Sequence, residues 1–215
     1  MLRGESIAVA TEVLLYCVAF FLFKSSMNQN FYEMVEANPV IAAVKDMEGL
    51  KRCCQVPDIK VVFVLFGDIC NISSIVKRIK AADKVAIVHI DLITGLSPKE
   101  VTVDFIRQHT GVDGIISTKP TMIRRAKELG MYTVMRFFLL DSMSLENISK
   151  QLSVVKPDFI EILPGVMPKI IRKVCRQVKT QVIAGGLITD KEDIVTALDA
   201  GAIAVSSTNQ NVWDM

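Results

Sequence analysis

The chain predicts a compact, TIM-like (β/α)8 barrel with a truncated last helix, a single α/β domain. Three observations carry that expectation. From residue 39 onward, eight short runs rich in Val and Ile alternate with amphipathic segments, at a period of about 20–28 residues. The runs are mostly apolar on both faces, as parallel strands covered by helices are. Only Gln210–Met215 follow the eighth run, too few for a full closing helix. With 215 residues the barrel is small for its class, whose members typically run to about 250. An open flavodoxin-like sheet is the alternative, and eight strands make it the weaker one.

The elements follow in order. Pro39–Asp46 reads as a strand and Met47–Val56 as its helix. Lys60–Gly67 is a continuous apolar run, followed by the amphipathic Ile69–Ala82. Lys84–Leu92 is the third strand and Lys99–His109 the third helix. Asp113–Thr118 is the fourth strand, with a helix through Leu129. Met131–Asp141, Asp158–Gly165, Thr180–Ile188 and Ala202–Thr208 complete the strands, with helices near 144–155, 167–178 and 190–199 between them. Gly111, Gly130 and Gly201 fall just after helices, where a left-handed cap is expected. Pro98 and Thr189-Asp190 mark helix starts.

Bulk composition excludes several classes. Twenty-five basic and 23 acidic residues leave a net charge of +2, so overall charge does not point to nucleic acid. The five cysteines have no CxxC spacing and are odd in number, which fits reduced thiols better than a disulfide framework. Two histidines and no Cys/His cluster argue against structural zinc.

Residues 1–26 differ from the rest. Val13–Phe23 is an unbroken apolar run flanked by Glu12 and Lys24, shorter than the roughly 20 residues that span a bilayer. No small-x-small cleavage site follows it. The favoured reading is an apolar extension outside the fold, with the single barrel domain occupying 27–215. A weak membrane anchor and a signal peptide are the alternatives.

In a barrel, function sits at the C-terminal ends of the strands. The strongest pair of motifs lies at strands seven and eight. Gly185-Gly186 allows close backbone approach and positive φ. Ser207, Thr208 and Asn209 close the next strand with hydroxyls, an amide and backbone N–H groups. Together they read as a phosphate cradle.

Other strand ends add ligand-binding candidates. Lys45 and Asp46 end the first strand, although Asp46 also suits an N-cap. His89 and Asp91 are spaced i, i+2, which places both on one face of strand three. They suit a ligand oxygen, a proton or a metal, or else a buried His satisfied by its neighbour. Arg136 and Glu161 each interrupt an apolar strand. A buried Arg needs a fixed anionic partner, so the two form either an internal pair or a ligand contact.

A separate signal is a basic stripe. Lys169, Arg172, Lys173 and Arg176 follow i, i+3, i+4, i+7, with Lys179 beyond. Ile170, Ile171, Val174, Cys175 and Val178 form the opposite, core-facing side. A solvated face normally mixes signs, so a one-sign stripe suits a polyanion. Arg124, Arg125 and Lys127 form a smaller basic group.

With these motifs in order, the chain resembles the glycerol uptake operon antiterminator family. The resemblance covers about residues 38–213. It is carried by Val40–Leu50 (VIAAVKDMEGL), His89–Leu96 (HIDLITGL), Gly114–Thr118 (GIIST), Arg136–Ser142 (RFFLLDS), Glu161–Pro168 (EILPGVMP), Ala184–Ile188 (AGGLI) and Ala202–Trp213.

The family implies a TIM-barrel regulator that responds to glycerol 3-phosphate, binds leader mRNA of glycerol-utilisation genes and prevents premature termination. Carried onto this chain, Gly185, Gly186, Ser207, Thr208 and Asn209 hold the phosphate. Lys45, Asp46, His89, Asp91, Arg136 and Glu161 serve the glycerol end. The RNA surface, for which the resemblance names no motif, is assigned to the basic stripe on charge alone. Catalytic residues, a metal and a cofactor are not expected; the effector is glycerol 3-phosphate. The expected setting is cytoplasmic, without a membrane partner, and a homo-oligomer is allowed. The competing expectation is a barrel enzyme acting on a small phosphorylated polyol or sugar, an isomerase or phosphodiesterase.

Overall fold

The computed structural model describes residues 31–215, and the barrel lies within the compact unit Met34–Met215. The apolar run at 13–23 and the expected boundary after residue 26 lie outside the described residues. Among the described residues, no helix is long and apolar enough to cross a membrane.

Eight parallel strands close on themselves in sequence order. They are β1 (Val40–Val44), β2 (Val61–Val64), β3 (Val85–His89), β4 (Gly114–Ser117), β5 (Tyr132–Phe138), β6 (Phe159–Leu163), β7 (Gln181–Gly185) and β8 (Ala204–Ser207). Closure is made by β8 against β1, with Val40 opposite Val205 and Ala42 opposite Ser207. The first seven strands are each followed by a helix: α1 (Met47–Gln55), α2 (Ile72–Ala81), α3 (Glu100–Thr110), α4 (Pro120–Glu128), α5 (Ser142–Val154), α6 (Pro168–Gln177) and α7 (Lys191–Asp199). After β8 there is only a 3-10 turn, Gln210–Val212. This turn stands where the truncated last helix is expected.

Strand alternation sets two layers. Ala42, Val62, Val88, Met135 and Ile160 belong to the large outer core packed beneath the helices. The residues between them face the axis, because successive side chains in a strand point to opposite sides. At the C-terminal mouth that inner set includes Ala43, Arg136, Glu161 and Ser206.

The capping chemistry explains where helices begin. Asp46, Asp141 and Asp190 accept from the backbone amides of Gly49, Ser144 and Asp193, at 2.7, 2.7 and 2.9 Å. Gly111, Gly130 and Gly201 all take positive φ beyond helix ends.

Three segments differ from expectation. The apolar run Lys60–Gly67 pairs as a strand only over Val61–Val64. Its helix starts at Ile72 rather than Ile69, because Asp68 accepts from the amides of Cys70 and Asn71 and holds a turn there. The third strand ends at His89, and Ile90–Leu92 turns into a 3-10 helix. His89 and Asp91 therefore do not share a strand face. Polarity at the end of the run favoured turn hydrogen bonds over continued pairing: Asp91 is needed to tie down the end of β4.

Candidate ligand-binding site

The loops after β7 and β8 are bonded to each other before any ligand is considered. Ser207 Oγ donates to the Ile188 carbonyl at 2.7 Å and accepts from the Asn209 amide at 3.0 Å. Asn209 Nδ2 donates to the Thr189 carbonyl at 2.9 Å. Thr189 is anchored through its amide and hydroxyl to Asp193 on α7. On the other side the Gly165 amide donates to the Gly186 carbonyl at 3.0 Å. Gly186 and Leu187 both take positive φ, +76° and +63°. For Leu this is an uncommon backbone state, held by the bonds on either side. The backbone N–H groups of Gly186, Leu187 and Thr208 make no hydrogen bond among the described residues. Free amides on a left-handed turn are the groups that cradle an anion.

These loops line a cavity of about 280 Å³ at the C-terminal mouth of the barrel. That is near the small end of ligand pockets, which run from about 300 Å³ upward. Its floor is an ion pair. Arg136 and Glu161 sit opposite one another in the β5–β6 register, 7% and 1% exposed. Arg136 Nε donates to Glu161 Oε2 at 2.6 Å, and Ser206 Oγ donates to Oε1 at 2.5 Å. Gly185 explains how the carboxylate fits. A Cβ there would lie 2.5 Å from Glu161 Oε1 and 2.6 Å from Ser206 Oγ. Arg136 makes this bond through Nε alone, which leaves its two terminal nitrogens without a protein partner among the described residues.

The cavity lining brings together Arg136, Glu161, Gly186, Ser207, Thr208 and Asn209 from the expected set. The side chains of Ser207 and Asn209 are committed to loop–loop bonds, so they shape the cradle. Lys45 and Asp46 are exposed at the end of β1 and are not among the lining residues; Asp46 caps α1. Gly185 lies beneath the lining, packed on Glu161.

His89 and Asp91 sit on the β3 side. Asp91 accepts from Ser117 Oγ at 2.9 Å, from the Thr118 amide at 2.8 Å and from Thr118 Oγ1 at 2.9 Å. Lys119 Nζ is 3.7 Å away. Burial pushes the Asp91 carboxyl up, but the bonds from Thr118 and Ser117 outweigh it and hold it below its ordinary value. His89 is 3% exposed, and its Nδ1 is buried without a hydrogen-bond partner. Burial, reinforced by the Arg136 charge, lowers its pKa to about 4, so the ring is neutral at pH 7.

Sequence reasoning missed Leu187 and Thr189 as lining residues, and it read Ser206 with the β8 motif without placing it in the ligand set. Position predicts Ser206: it alternates with Ala204 on β8 and faces the axis. Leu187 carries no signal beyond following a glycine pair.

The basic stripe is a distinct surface. Lys169, Arg172, Lys173, Arg176 and Lys179 are all exposed, and none makes an ion pair among the described residues. The smaller basic group is different. Arg124 pairs with Glu100, Arg125 with Asp104 and Glu128, and Lys127 with Asp158.

Fold and site together define a (β/α)8 barrel with a cavity at its C-terminal mouth, lined mostly from β5 to β8 and completed by Ala43 and Leu65. A family model, the glycerol-3-phosphate responsive antiterminator, matches residues 40–213. The chain belongs to this family. A protein of Escherichia coli (strain K12), uncharacterized protein YgcP, is 46% identical over 182 residues, covering 85% of this chain and 95% of that protein. The glycerol uptake operon antiterminator regulatory protein of Listeria monocytogenes is similar in structure at 30% identity and a TM-score of 0.79, covering 82% of this chain and 95% of that one. A glycerol uptake operon antiterminator-related protein from Thermotoga maritima gives 34% identity and a TM-score of 0.71, covering 82% and 98%. Deoxyribose phosphate aldolase from Aeropyrum pernix matches at 15% identity and a TM-score of 0.63, covering 81% of this chain and 87% of that one, a likeness of fold alone.

Proposed function

We propose that this chain is a glycerol-3-phosphate-sensing antiterminator that binds leader mRNA of glycerol-utilisation genes. The observation that carries the reading is the composition of the cavity. Free amides of Gly186, Leu187 and Thr208 suit a phosphate, and the glycerol end then lies over Arg136 and Glu161. Glu161 is a poor general base there, because Arg136 and Ser206 already occupy both its oxygens. Such a floor suits holding a ligand better than turning it over. Gly185, Ser207 and Asn209 keep the cradle in shape, and His89 and Asp91 order the β3–β4 side. Lys45 and Asp46 are assigned no ligand contact.

The RNA surface in this reading is the α6 stripe of Lys169, Arg172, Lys173 and Arg176, with Lys179 beyond it. Among the described residues its exposed cations have no ion-pair partner, which suits contact with phosphates. The working unit is the barrel from about residue 27, acting in the cytoplasm where its RNA would be.

The test is a gel shift on a glycerol-gene leader RNA with and without glycerol 3-phosphate, comparing wild type with Arg172→Glu/Arg176→Glu. The expected result is ligand-dependent binding that the double variant loses while still binding glycerol 3-phosphate. Unchanged RNA binding by the variant would move the surface elsewhere. The enzyme reading is favoured only by the aldolase-like fold. Turnover of glycerol 3-phosphate or its diesters by the purified protein would establish it.

A further inference from the structure

The cavity floor holds two opposite charges bonded to one another. Arg136 is its cation and Glu161 its carboxylate, 2.6 Å apart and both buried. Glu161 is locked in place from two further sides. Ser206 donates to its free oxygen, and Gly185 leaves out a Cβ that would collide with that same oxygen. The remaining ionisable group near the floor, His89, is neutral. Asp91, beyond it, faces Lys119. The floor is therefore charge-balanced, while the unpaired loop amides above it suit an anion.

We propose that Glu161 is a specificity-determining charge filter: by neutralising Arg136 it makes the cavity accept a phosphate monoester whose far end is an uncharged polyol and refuse one whose far end is a carboxylate. This rests on the reading of the cavity as a glycerol 3-phosphate site. Arg136 can donate from its terminal nitrogens to hydroxyl oxygens. A carboxylate placed at the same point would meet the Glu161 charge in a buried setting where like charges repel strongly. Without Glu161, the same guanidinium would become a carboxylate receptor, since its planar fork matches that group.

Glycerol 3-phosphate and 3-phosphoglycerate form the natural probe pair, because they differ by a terminal CH2OH against a carboxylate. Calorimetric titration of the wild type is expected to favour glycerol 3-phosphate by about 100-fold. Glu161→Gln keeps the size of the side chain beneath Gly185. It is expected to cut that preference by at least about tenfold, through tighter binding of 3-phosphoglycerate. The neutral double variant Arg136→Gln/Glu161→Gln removes the unpaired cation and is expected to restore the preference for the polyol ester at lower affinity. Circular dichroism melts establish which variants fold, and the wild-type ratio decides the matter if Glu161→Gln does not.

Equal affinity of the wild type for both ligands would overturn the filter while leaving the sensing reading intact. So would an unchanged ratio in folded Glu161→Gln. A third overturning result is an equal gain for inorganic phosphate, which would place the phosphate itself on Arg136. Wild type that binds neither ester would overturn the sensing reading, and the filter with it.

Discussion

The amide of Gly165 donates to the carbonyl of Gly186 at 3.0 Å, which bolts the turn in front of α6 to the loop that lines the cavity. Gly165 also has no room for a side chain. A Cβ there would lie 2.9 Å from the Gly185 nitrogen and 3.0 Å from the Ala184 carbonyl carbon, both backbone atoms that cannot swing away. Gly165→Ala is expected to cost about 1–3 kcal/mol by forcing the two turns apart. If this bolt carries the ligand signal to α6, the variant narrows the ratio of RNA affinities with and without glycerol 3-phosphate. Urea unfolding reads the first effect and ligand-paired gel shifts read the second.

Removing one member of the floor pair should be more damaging than removing both. Arg136→Ala leaves Glu161 buried with only Ser206 for company, a loss of about 3–5 kcal/mol. Arg136→Met/Glu161→Leu replaces both charges with apolar volume and should unfold at a higher denaturant concentration than the single variant. A midpoint for the double variant at or below that of Arg136→Ala would contradict this account.

His89 gives a pH dependence with a defined sign. Its pKa falls from 6.5 to about 4 in the fold. The unfolded chain thus takes up the proton first as pH drops. The contribution is fully present above about pH 6.5 and is lost on descending towards pH 4, amounting to about 3 kcal/mol. Asp91 acts lower: its depressed carboxyl contributes above its ordinary 3.8, and that contribution is lost only as pH falls further. Stability measured from pH 7 to 4 should slope downward in the wild type and flatten across this window in His89→Gln.

Trp213 offers an optical readout of the same site. It is the chain's only tryptophan and is 1% exposed, and its indole donates to the Ser207 carbonyl at 2.9 Å. The neighbouring Asp214 pairs with Arg52 on α1, so this tail closes over the β8 loop where an eighth helix would otherwise sit. Trp213→Ala is expected to cost about 3–5 kcal/mol. Glycerol 3-phosphate should change the Trp213 emission and slow proteolysis of the tail. Identical spectra and digestion patterns with and without ligand would count against the tail as a reporter.

The α6 surface makes an electrolyte prediction. Arg172→Gln/Arg176→Gln removes two candidate phosphate contacts without touching the cavity. Plotted as log affinity against log salt, leader RNA binding should lose about two units of slope. A slope equal to that of the wild type would mean that these side chains do not meet the RNA backbone.

The barrel was legible because its signals are local. Val- and Ile-rich runs apolar on both faces, Asp46, Asp141 and Asp190 before helices, and Gly111, Gly130 and Gly201 after them each act within a few residues. The Arg136–Glu161 pairing was legible too, as one of two readings, because a charge deep in an apolar strand demands a partner. Other features were beyond reach. Whether Asp91 continued strand three depended on Ser117 and Thr118, 26 and 27 residues away, offering it better hydrogen bonds than the ladder did. The pairing of Arg125 with Asp104 and Glu128, and the isolation of the stripe on α6, depend on which helices lie side by side.

By itself, then, the sequence determined the alternation of elements, their number and the family. All of these follow from hydrophobic period, capping chemistry and motif order along the chain. Tertiary structure decided which polar groups face one cavity and which are spent on holding it together. Ser207 and Asn209 turned out to be loop ties, Leu187 and Ser206 became lining, and Lys45 and Asp46 stayed outside. The physical reason is barrel closure. Strand register places Arg136 against Glu161 and β8 against β1, and hydrogen-bond competition between the loops then determines which donors remain free for a ligand.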